Sequence, residues 1–331
     1  MNLKCNKIIL LKKFKNFLKK SFKMIDIEES LITEKNEKEP QAFQIWQPKA
    51  RRRGVIDALA VINSDEIKFA PIYLNFGQSI SSKSFKISCV IDNNENTKFE
   101  LEYNQIEKCT LTKVVKIGCQ MDLDCGRHSI TFQTENDFKK LHGLLYVYKK
   151  NDQIVVVDID GTITKSDIRG HLALFISQIL GSNIFINYWS QSHVVELLSK
   201  VQERGYKIVY LSSRPYILNK YTRYLIENLA PNGNHLPDGL LIVSHKSFLS
   251  AVYQELTNPQ DFKAKRLNSL KSLGLTIVCG FGNTKRDEDA YKRVEIPHIF
   301  IVDKNGVLNK ENCKSYKDLE YNLDLVSQFL V

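Results

Sequence analysis

The rhythm of hydrophobic and polar positions divides this chain into four stretches. In residues 1–23 the apolar positions Leu10, Phe14, Phe17, Leu18 and Phe22 recur at steps of three and four, the period of a helix, and lysines fill the places between them. Residues 24–53 lose that period. They are polar and acid-rich and close on Arg51-Arg52-Arg53, the pattern of a linker. From 54 to 150, short runs rich in β-branched and aromatic residues alternate with turn residues. Strands are predicted over 55–62, 67–76, 85–91, 98–103, 111–117, 128–134 and 144–148, with turn signals at Asn63-Ser64-Asp65, Asp92-Asn93-Asn94 and Cys125-Gly126. About seven short strands over some hundred residues predict an antiparallel β-sandwich of the immunoglobulin type. From 151 to 331 apolar runs at 154–157, 207–211, 239–243, 276–279 and 298–302 are mostly separated by helical patterns over 171–180, 192–204, 218–229, 246–254 and 262–273. That alternation predicts an α/β domain built on a mainly parallel, doubly wound sheet, whose chemistry collects at the carboxyl ends of the strands.

Composition narrows the classes. A chain of 331 residues with 43% hydrophobic and 25% charged residues is not globally disordered and is long enough to bury a full core. No run of 18 apolar residues offers a membrane span. The seven cysteines include no CxxC pair, which disfavours a disulfide framework or a zinc site and points to a reducing compartment. The net charge of +10 favours polyanions: nucleic acid, anionic membranes or phosphorylated substrates. Eight lysines and no acid lie in residues 1–23, so this stretch reads as a basic amphipathic helix lying on an anionic membrane. A helix folded back on the protein and a targeting presequence are the other readings, though presequences favour Arg and Ser over Lys. No nucleic-acid recognition motif or aromatic–basic interleaving is present, so nucleic acid is not an expected partner.

The chemistry concentrates in Ile154-Val155-Val156-Val157-Asp158-Ile159-Asp160-Gly161-Thr162. An apolar strand ends in two carboxylates two residues apart, which extended backbone turns to one face. Two acids so close repel unless a divalent cation or a retained proton intervenes. Gly161 permits a tight bend, and a Ca²⁺ or turn motif is the alternative reading of the string. The pattern DxDGT matches the first motif of the haloacid dehalogenase superfamily. Its other motifs have counterparts in order: Ser212 ending the run 207–211, Lys263 on a later helix, and Asn283 with Asp287 after 276–279.

The resemblance is closer than superfamily level. Asp158-Ile159-Asp160-Gly161-Thr162-Ile163-Thr164-Lys165-Ser166-Asp167, then Gly170-His171, resembles the catalytic signature of the lipin phosphatidate phosphatases. Tyr210-Leu211-Ser212-Ser213-Arg214, Leu236-Pro237-Asp238-Gly239, Phe262-Lys263 and Gly280-Phe281-Gly282-Asn283 continue it. Gly54-Val55-Ile56-Asp57 and Phe69-Ala70-Pro71-Ile72-Tyr73-Leu74-Asn75-Phe76-Gly77 resemble the family's amino-terminal region. Arg169 and Leu174 depart from the family's Leu and Pro, and Ser244-His245-Lys246 stands where Ser-Pro-Asp or Ser-Pro-Glu is common. Lipins of animals and yeast separate the two regions by hundreds of residues. Here they nearly touch, which suggests that they build one continuous body.

The resemblance implies a Rossmann-like haloacid dehalogenase domain over 151–331 and a sandwich of the lipin amino-terminal type over 54–150. It implies Mg²⁺-dependent hydrolysis of phosphatidic acid to diacylglycerol and phosphate. Asp158 would be the nucleophile and Asp160 the acid and then the base. Asp158, the backbone carbonyl of Asp160, and Asn283 or Asp287 would hold Mg²⁺, while Ser212 and Lys263 would stabilise the phosphoryl oxygens. Gly161 and Thr162 would shape the loop that receives the phosphate. Arg214 would bind headgroup phosphate or form a structural ion pair, and His171 would face the site or start a helix. Two alternatives stay open: a phosphatase of the same superfamily acting on a soluble phosphomonoester or phosphoprotein, and a phosphatidate-binding module without turnover. The expected setting is cytoplasmic, peripherally bound to the endoplasmic reticulum or nuclear envelope.

Overall fold

The computed structural model describes residues 54–64, 66–75, 84–104, 114–116, 123–134, 137–165, 190–216, 219–231, 233–244, 259–309 and 314–321, all within one compact unit spanning 44–331. The helix expected over 1–23, the linker 24–53, the helices expected over 171–180 and 246–254, and Arg169, Gly170, His171, Leu174, His245 and Lys246 lie outside the described residues.

The carboxyl-terminal sheet is parallel throughout. Its strands are β10 (Gln153–Val157), β11 (Lys207–Pro215), β12 (Gly239–Ser244), β13 (Thr276–Gly282) and β14 (His298–Ile301), in the order β12-β11-β10-β13-β14. The run Ile154-Val155-Val156-Val157 is unbroken because both faces of the central strand are covered. Side chains alternate between those faces. Val155 and Val157 join a cluster with α1 (Val194–Glu203), α2 (Asn219–Asn228) and α5 (Tyr316–Tyr321) through Val195, Leu198, Leu225 and Leu319. Ile154 and Val156 join the opposite cluster, with α3 (Pro259–Ser272) and α4 (Lys285–Arg293) contributing Leu267, Leu270 and Tyr291. Among the described residues no helix is long and apolar enough to cross a membrane.

The amino-terminal strands form a seven-stranded sheet in the order β6-β5-β8-β9-β2-β3-β7, beside a short antiparallel pair of β1 (Gly54–Val55) and β4 (Leu74–Asn75). The seven are β2 (Ala58–Ile62), β3 (Glu66–Phe69), β5 (Ser84–Ile91), β6 (Asn94–Asn104), β7 (Val114–Lys116), β8 (Gly126–Thr134) and β9 (Asp137–Lys149). The expectation of a wholly antiparallel arrangement is corrected at one place: β2 and β9 pair in parallel. These strands come from opposite ends of the region, so the long connection that a parallel pair requires is available. Two predicted strands also break. The run 55–62 is interrupted at Ile56-Asp57, where Asp57 turns to a partner outside the sheet, and 67–76 is interrupted at Ala70-Pro71, where proline removes a ladder donor.

The sheet rolls onto itself. Phe69 on β3 and Phe99 on β6 stand five strands apart in hydrogen-bonding order, about 24 Å in a flat sheet, yet their ring centroids are 5.0 Å apart. The roll encloses Ile67, Ile87, Leu101, Ile130, Phe132 and Leu145. Along β2 the alternation serves two cores: Ala58 and Ala60 point into the roll, whereas Leu59 and Val61, with Tyr146 and Tyr148 of β9, pack onto Val209, Leu211 and Leu240 of the parallel sheet. The two regions are thus one body joined by a shared hydrophobic layer.

Candidate active site

Strand order reverses at β10, and ligands of doubly wound sheets bind at the carboxyl ends around such a switch point. Asp158 is the first residue past β10, and its N–H donates to the carbonyl of Phe281 on β13 at 2.9 Å. The chain then turns on itself. The carbonyl of Ile159 accepts from the N–H groups of Ile163 at 3.0 Å and Thr164 at 3.1 Å, and Gly161 supplies the left-handed backbone the bend needs, at φ 80°. Thr162 is fully buried, its hydroxyl donating to Asp158 Oδ2 at 3.3 Å and its carbonyl accepting from the Tyr316 hydroxyl at 3.1 Å. Both Gly161 and Thr162 therefore shape the loop.

Lys263, on the first half of α3, is buried between two carboxylates. Its Nζ donates to Asp158 Oδ1 at 2.6 Å and to Asp287 Oδ1 at 2.5 Å. The other oxygen of Asp287 caps α4, accepting from Thr284 N at 3.0 Å, Thr284 Oγ1 at 2.7 Å and Asn283 N at 3.2 Å. Together with the Asp287 N–H bond to the Thr284 hydroxyl this is a capping box. Burial pushes the Asp287 carboxyl up, but the Lys263 ammonium and the hydrogen bonds from Lys263 and Thr284 outweigh it and hold the group below the usual carboxylate value. Asp158 moves the other way. Burial, aided by the charges of Asp287 and Asp160, lifts it to about 8 against the pull of Lys263. One ammonium thus faces two buried carboxyl groups, which leaves Asp158 holding its proton more tightly than an ordinary carboxyl does.

Asp160 points to a different partner. Arg214, at the end of β11 and 2% exposed at its side chain, grips it in a bidentate pair, Nη2 to Oδ1 at 2.6 Å and Nε to Oδ2 at 2.8 Å. The remaining terminal nitrogen of Arg214 donates to Thr222 Oγ1 on α2 at 3.3 Å. Ser212 is buried in β11 where its pairing with β12 becomes irregular, with its Oγ 3.5 Å from Asp160 Oδ2 and accepting the Arg214 N–H at 3.3 Å. Of the two roles sequence allows for Arg214, the geometry is that of a buried ion pair.

The four groups expected around a metal are distributed unequally. Both oxygens of Asp287 are engaged by Lys263 and the α4 cap, and the Asp160 carboxylate faces Arg214. Among the described residues no three His, Cys, Asp or Glu side chains form a ready-made metal centre. What fits a hard divalent cation is the oxygen chemistry at the strand ends: the Asp158 carboxyl, whose ionised form a cation would favour, the main-chain carbonyl of Asp160, and the amide of Asn283 in the β13–α4 turn. That turn is tight for a stated reason. A Cβ on Gly282 would lie 2.5 Å from Asp287 Cβ, and one on Gly280 would lie 2.8 Å from the Tyr291 ring.

Sequence reasoning missed Thr222, Tyr316, Asp57, Arg223 and α4. Only α4 carried a local signal, the Thr284-x-x-Asp287 cap, because its nine residues are mostly charged.

A family model described as LNS2 (Lipin/Ned1/Smp2) matches residues 110–329. Similar curated proteins include "Phosphatidate phosphatase PAH1" of Arabidopsis thaliana, 32% identical over 197 residues that make up 56% of this chain and 21% of that protein. "Phosphatidate phosphatase LPIN3" of Homo sapiens is 30% identical over 222 residues, 64% of this chain and 25% of that protein. "Phosphatidic acid phosphohydrolase 1" of Saccharomyces cerevisiae is 29% identical over 255 residues, 72% and 28% respectively. The chain thus matches between 21% and 28% of the length of these relatives. A chain of the solved Pnkp1/Rnl/Hen1 complex is similar at 14% identity over 46% of both chains, with a TM-score of 0.28.

Proposed function

The chain belongs to the Lipin/Ned1/Smp2 family, and from that premise we propose that it is a Mg²⁺-dependent phosphatidate phosphatase working at a membrane surface. The reaction is hydrolysis of phosphatidic acid to diacylglycerol and phosphate. The observation that carries this reading is the buried Asp158–Lys263–Asp287 chain at the switch point, with Asp160 held two residues further on.

Asp158 attacks phosphorus through a carboxylate oxygen, the bond to the glycerol oxygen breaks, and an aspartyl-phosphate results. Asp160, once protonated and turned from Arg214, delivers its proton to the departing oxygen. It then takes a proton from the water that attacks the aspartyl-phosphate, returning Asp158 and releasing phosphate. Lys263 steadies the nucleophile and the transferred oxygens, Ser212 donates to those oxygens, and Asp287 fixes Lys263. Asp158, the carbonyl of Asp160 and Asn283 would hold Mg²⁺, which would offset the repulsion between carboxylate and phosphate. Gly161 and Thr162 keep the loop in shape, and Arg214 orients Asp160. The first 23 residues bring the enzyme to anionic membranes, and the rolled sheet serves as an immunoglobulin-like scaffold for the catalytic sheet.

Phosphate release from phosphatidate in mixed micelles, set against release from a soluble phosphomonoester, tests the proposal. The expected result is Mg²⁺-dependent release from phosphatidate that Asp160→Asn abolishes while vesicle binding persists. Turnover of the soluble ester alone would remove the lipid substrate. Binding of phosphatidate vesicles without any turnover would replace the enzyme by a binding module.

A further inference from the structure

The amino-terminal region touches both helices that support the site. Asp57, in the break between β1 and β2, is buried and pairs with Arg223 of α2, and its Oδ2 also accepts the N–H of Leu241 on β12 at 3.2 Å. Arg223 donates in turn to the carbonyl of Gly239 at 3.0 Å. A second tie runs from Asn219 Nδ2, one turn earlier on α2, to the carbonyl of Val55 at 2.9 Å. The residue before Arg223 is Thr222, whose hydroxyl seats the Arg214 guanidinium that grips Asp160. Adjacent helix residues turn about 100° from each other, so one rigid turn of α2 presents Arg223 to Asp57 and Thr222 to Arg214.

The second grip falls on α3. Tyr73 is anchored at its carbonyl by Ile56 N at 3.1 Å. Its ring lies 4.3 Å under the Arg266 guanidinium, and its hydroxyl accepts from Arg266 Nη1 at 2.7 Å. Arg266 sits three residues after Lys263, on the neighbouring position of the same helix face. A buried ion pair adds little stability over an apolar contact of equal volume, but it fixes orientation.

We propose that Asp57 and Tyr73 are positioning residues for the two halves of the catalytic constellation: Asp57 acts through α2, Thr222 and Arg214 on Asp160, and Tyr73 acts through Arg266 and α3 on Lys263. The inference rests on the phosphatase reading and adds that the amino-terminal region sets the geometry of each half separately. Its signature follows from leaving-group chemistry. An alkyl alkoxide leaves only with a proton from the acid, whereas p-nitrophenolate leaves without one. Asp160 also serves as base in the hydrolysis of the aspartyl-phosphate, which both esters share, so the contrast is read in kcat/KM, which ends at phosphoryl transfer: disturbing the Asp57 arm lowers it far more for alkyl than for aryl esters, and disturbing the Tyr73 arm lowers it alike for both.

The test measures kcat and KM of the full chain with Mg²⁺ on dihexanoyl phosphatidate and on p-nitrophenyl phosphate, with the folded fraction read from thermal melts. Asp57→Asn is expected to lower kcat/KM on the alkyl ester about 10–100-fold, and to shift the alkyl-to-aryl ratio of kcat/KM about tenfold or more. Asn219→Ala should shift the ratio in the same direction by less. Tyr73→Leu should lower both rates in proportion per folded molecule, and Tyr73→Phe, which keeps the ring under Arg266, should restore most of the loss. Glu100→Gln, an exposed position of β6, should leave both rates unchanged. A ratio of two rates from one sample does not depend on the folded fraction, so partial misfolding does not imitate the Asp57 result. Wild-type ratios in both Asp57→Asn and Asn219→Ala, or wild-type rates per folded molecule in Tyr73→Leu, would overturn the positioning roles while leaving the phosphatase reading standing. Hydrolysis of neither ester by the wild type would overturn both.

Discussion

At the scale of single residues, Asp158 is a group whose surroundings oppose its charge. The carboxyl sits against Lys263, yet burial and the nearby Asp287 and Asp160 leave it at about 8. A carboxyl whose folded value lies above its ordinary one costs stability at neutral pH, because the unfolded chain holds it ionised and folding must take up a proton. Asp158→Asn removes that burden, keeps the shape, and leaves Lys263 paired to Asp287 at 2.5 Å. The expected outcome in chelator at pH 7 is a variant melting no lower than the wild type. Phosphate release assayed with Mg²⁺ should fall more than about 1,000-fold, because the nucleophile is gone. The two readouts separate a catalytic carboxylate from a structural one, since loss of a structural carboxylate would lower both. The place of Asp158 at a strand end was legible in sequence because an aliphatic run followed by D-x-D-G-T puts an acid there whatever the distant contacts are. Its partner Lys263 was legible only by order among the motifs, since nothing local separates one lysine of this chain from another. The grip of Arg214 on Asp160 was open between two readings, because 54 residues separate the pair in sequence and only the parallel β10–β11 register brings them together.

At the scale of elements, legibility followed hydrophobic contrast. All five strands of the parallel sheet stood out as apolar runs, and α1, α2 and α3 as periodic segments, because each buries a defined face. The short helix α4 buries only Asp287, Ala290 and Tyr291, and so left no periodic trace. Its position is set instead by close approach at its amino end. The Gly282 backbone leaves no room for a side chain against Asp287, whose two oxygens cap the helix and hold Lys263. Gly282→Ala should therefore push α4 outward and loosen Asp287 and Lys263 together. The expected cost is about 1–3 kcal/mol in urea unfolding, as for other overpacked sites. It should come with a loss of phosphate release larger than that of Gly205→Ala, whose glycine follows α1 at φ 92° with no atom within 4 Å of an added Cβ. Equal activity in the two variants would show that the turn does not set the Lys263 geometry.

At the scale of the whole molecule, charge and body part company. Residues 1–23 carry eight lysines and no acid, so they account for eight of the ten net positive charges, and the remaining 308 residues are close to neutral. On the proposed reading, general attraction to an anionic surface would come chiefly from that stretch. On the same reading, the folded body would draw its phosphate affinity from the few groups around Asp158. Each lysine held near a negatively charged leaflet contributes about 1 kcal/mol, and the apolar positions Leu10, Phe14, Phe17, Leu18 and Phe22 would add burial in the interface if the stretch folds as a helix. Deleting residues 1–23 should weaken sedimentation with phosphatidate-bearing vesicles by more than about tenfold. It should leave the rate on a soluble aryl phosphate unchanged, because neither Asp57 nor Tyr73 nor any group of the site lies in it. Raising salt should weaken binding of the full chain toward that of the truncated form, since the Debye length shortens from about 10 Å at 0.1 M to about 3 Å at 1 M. Binding that survives both deletion and salt would move the membrane contact onto the folded body. A fall in the soluble rate on deletion would mean that the amino terminus reaches the catalytic groups as well as the lipid.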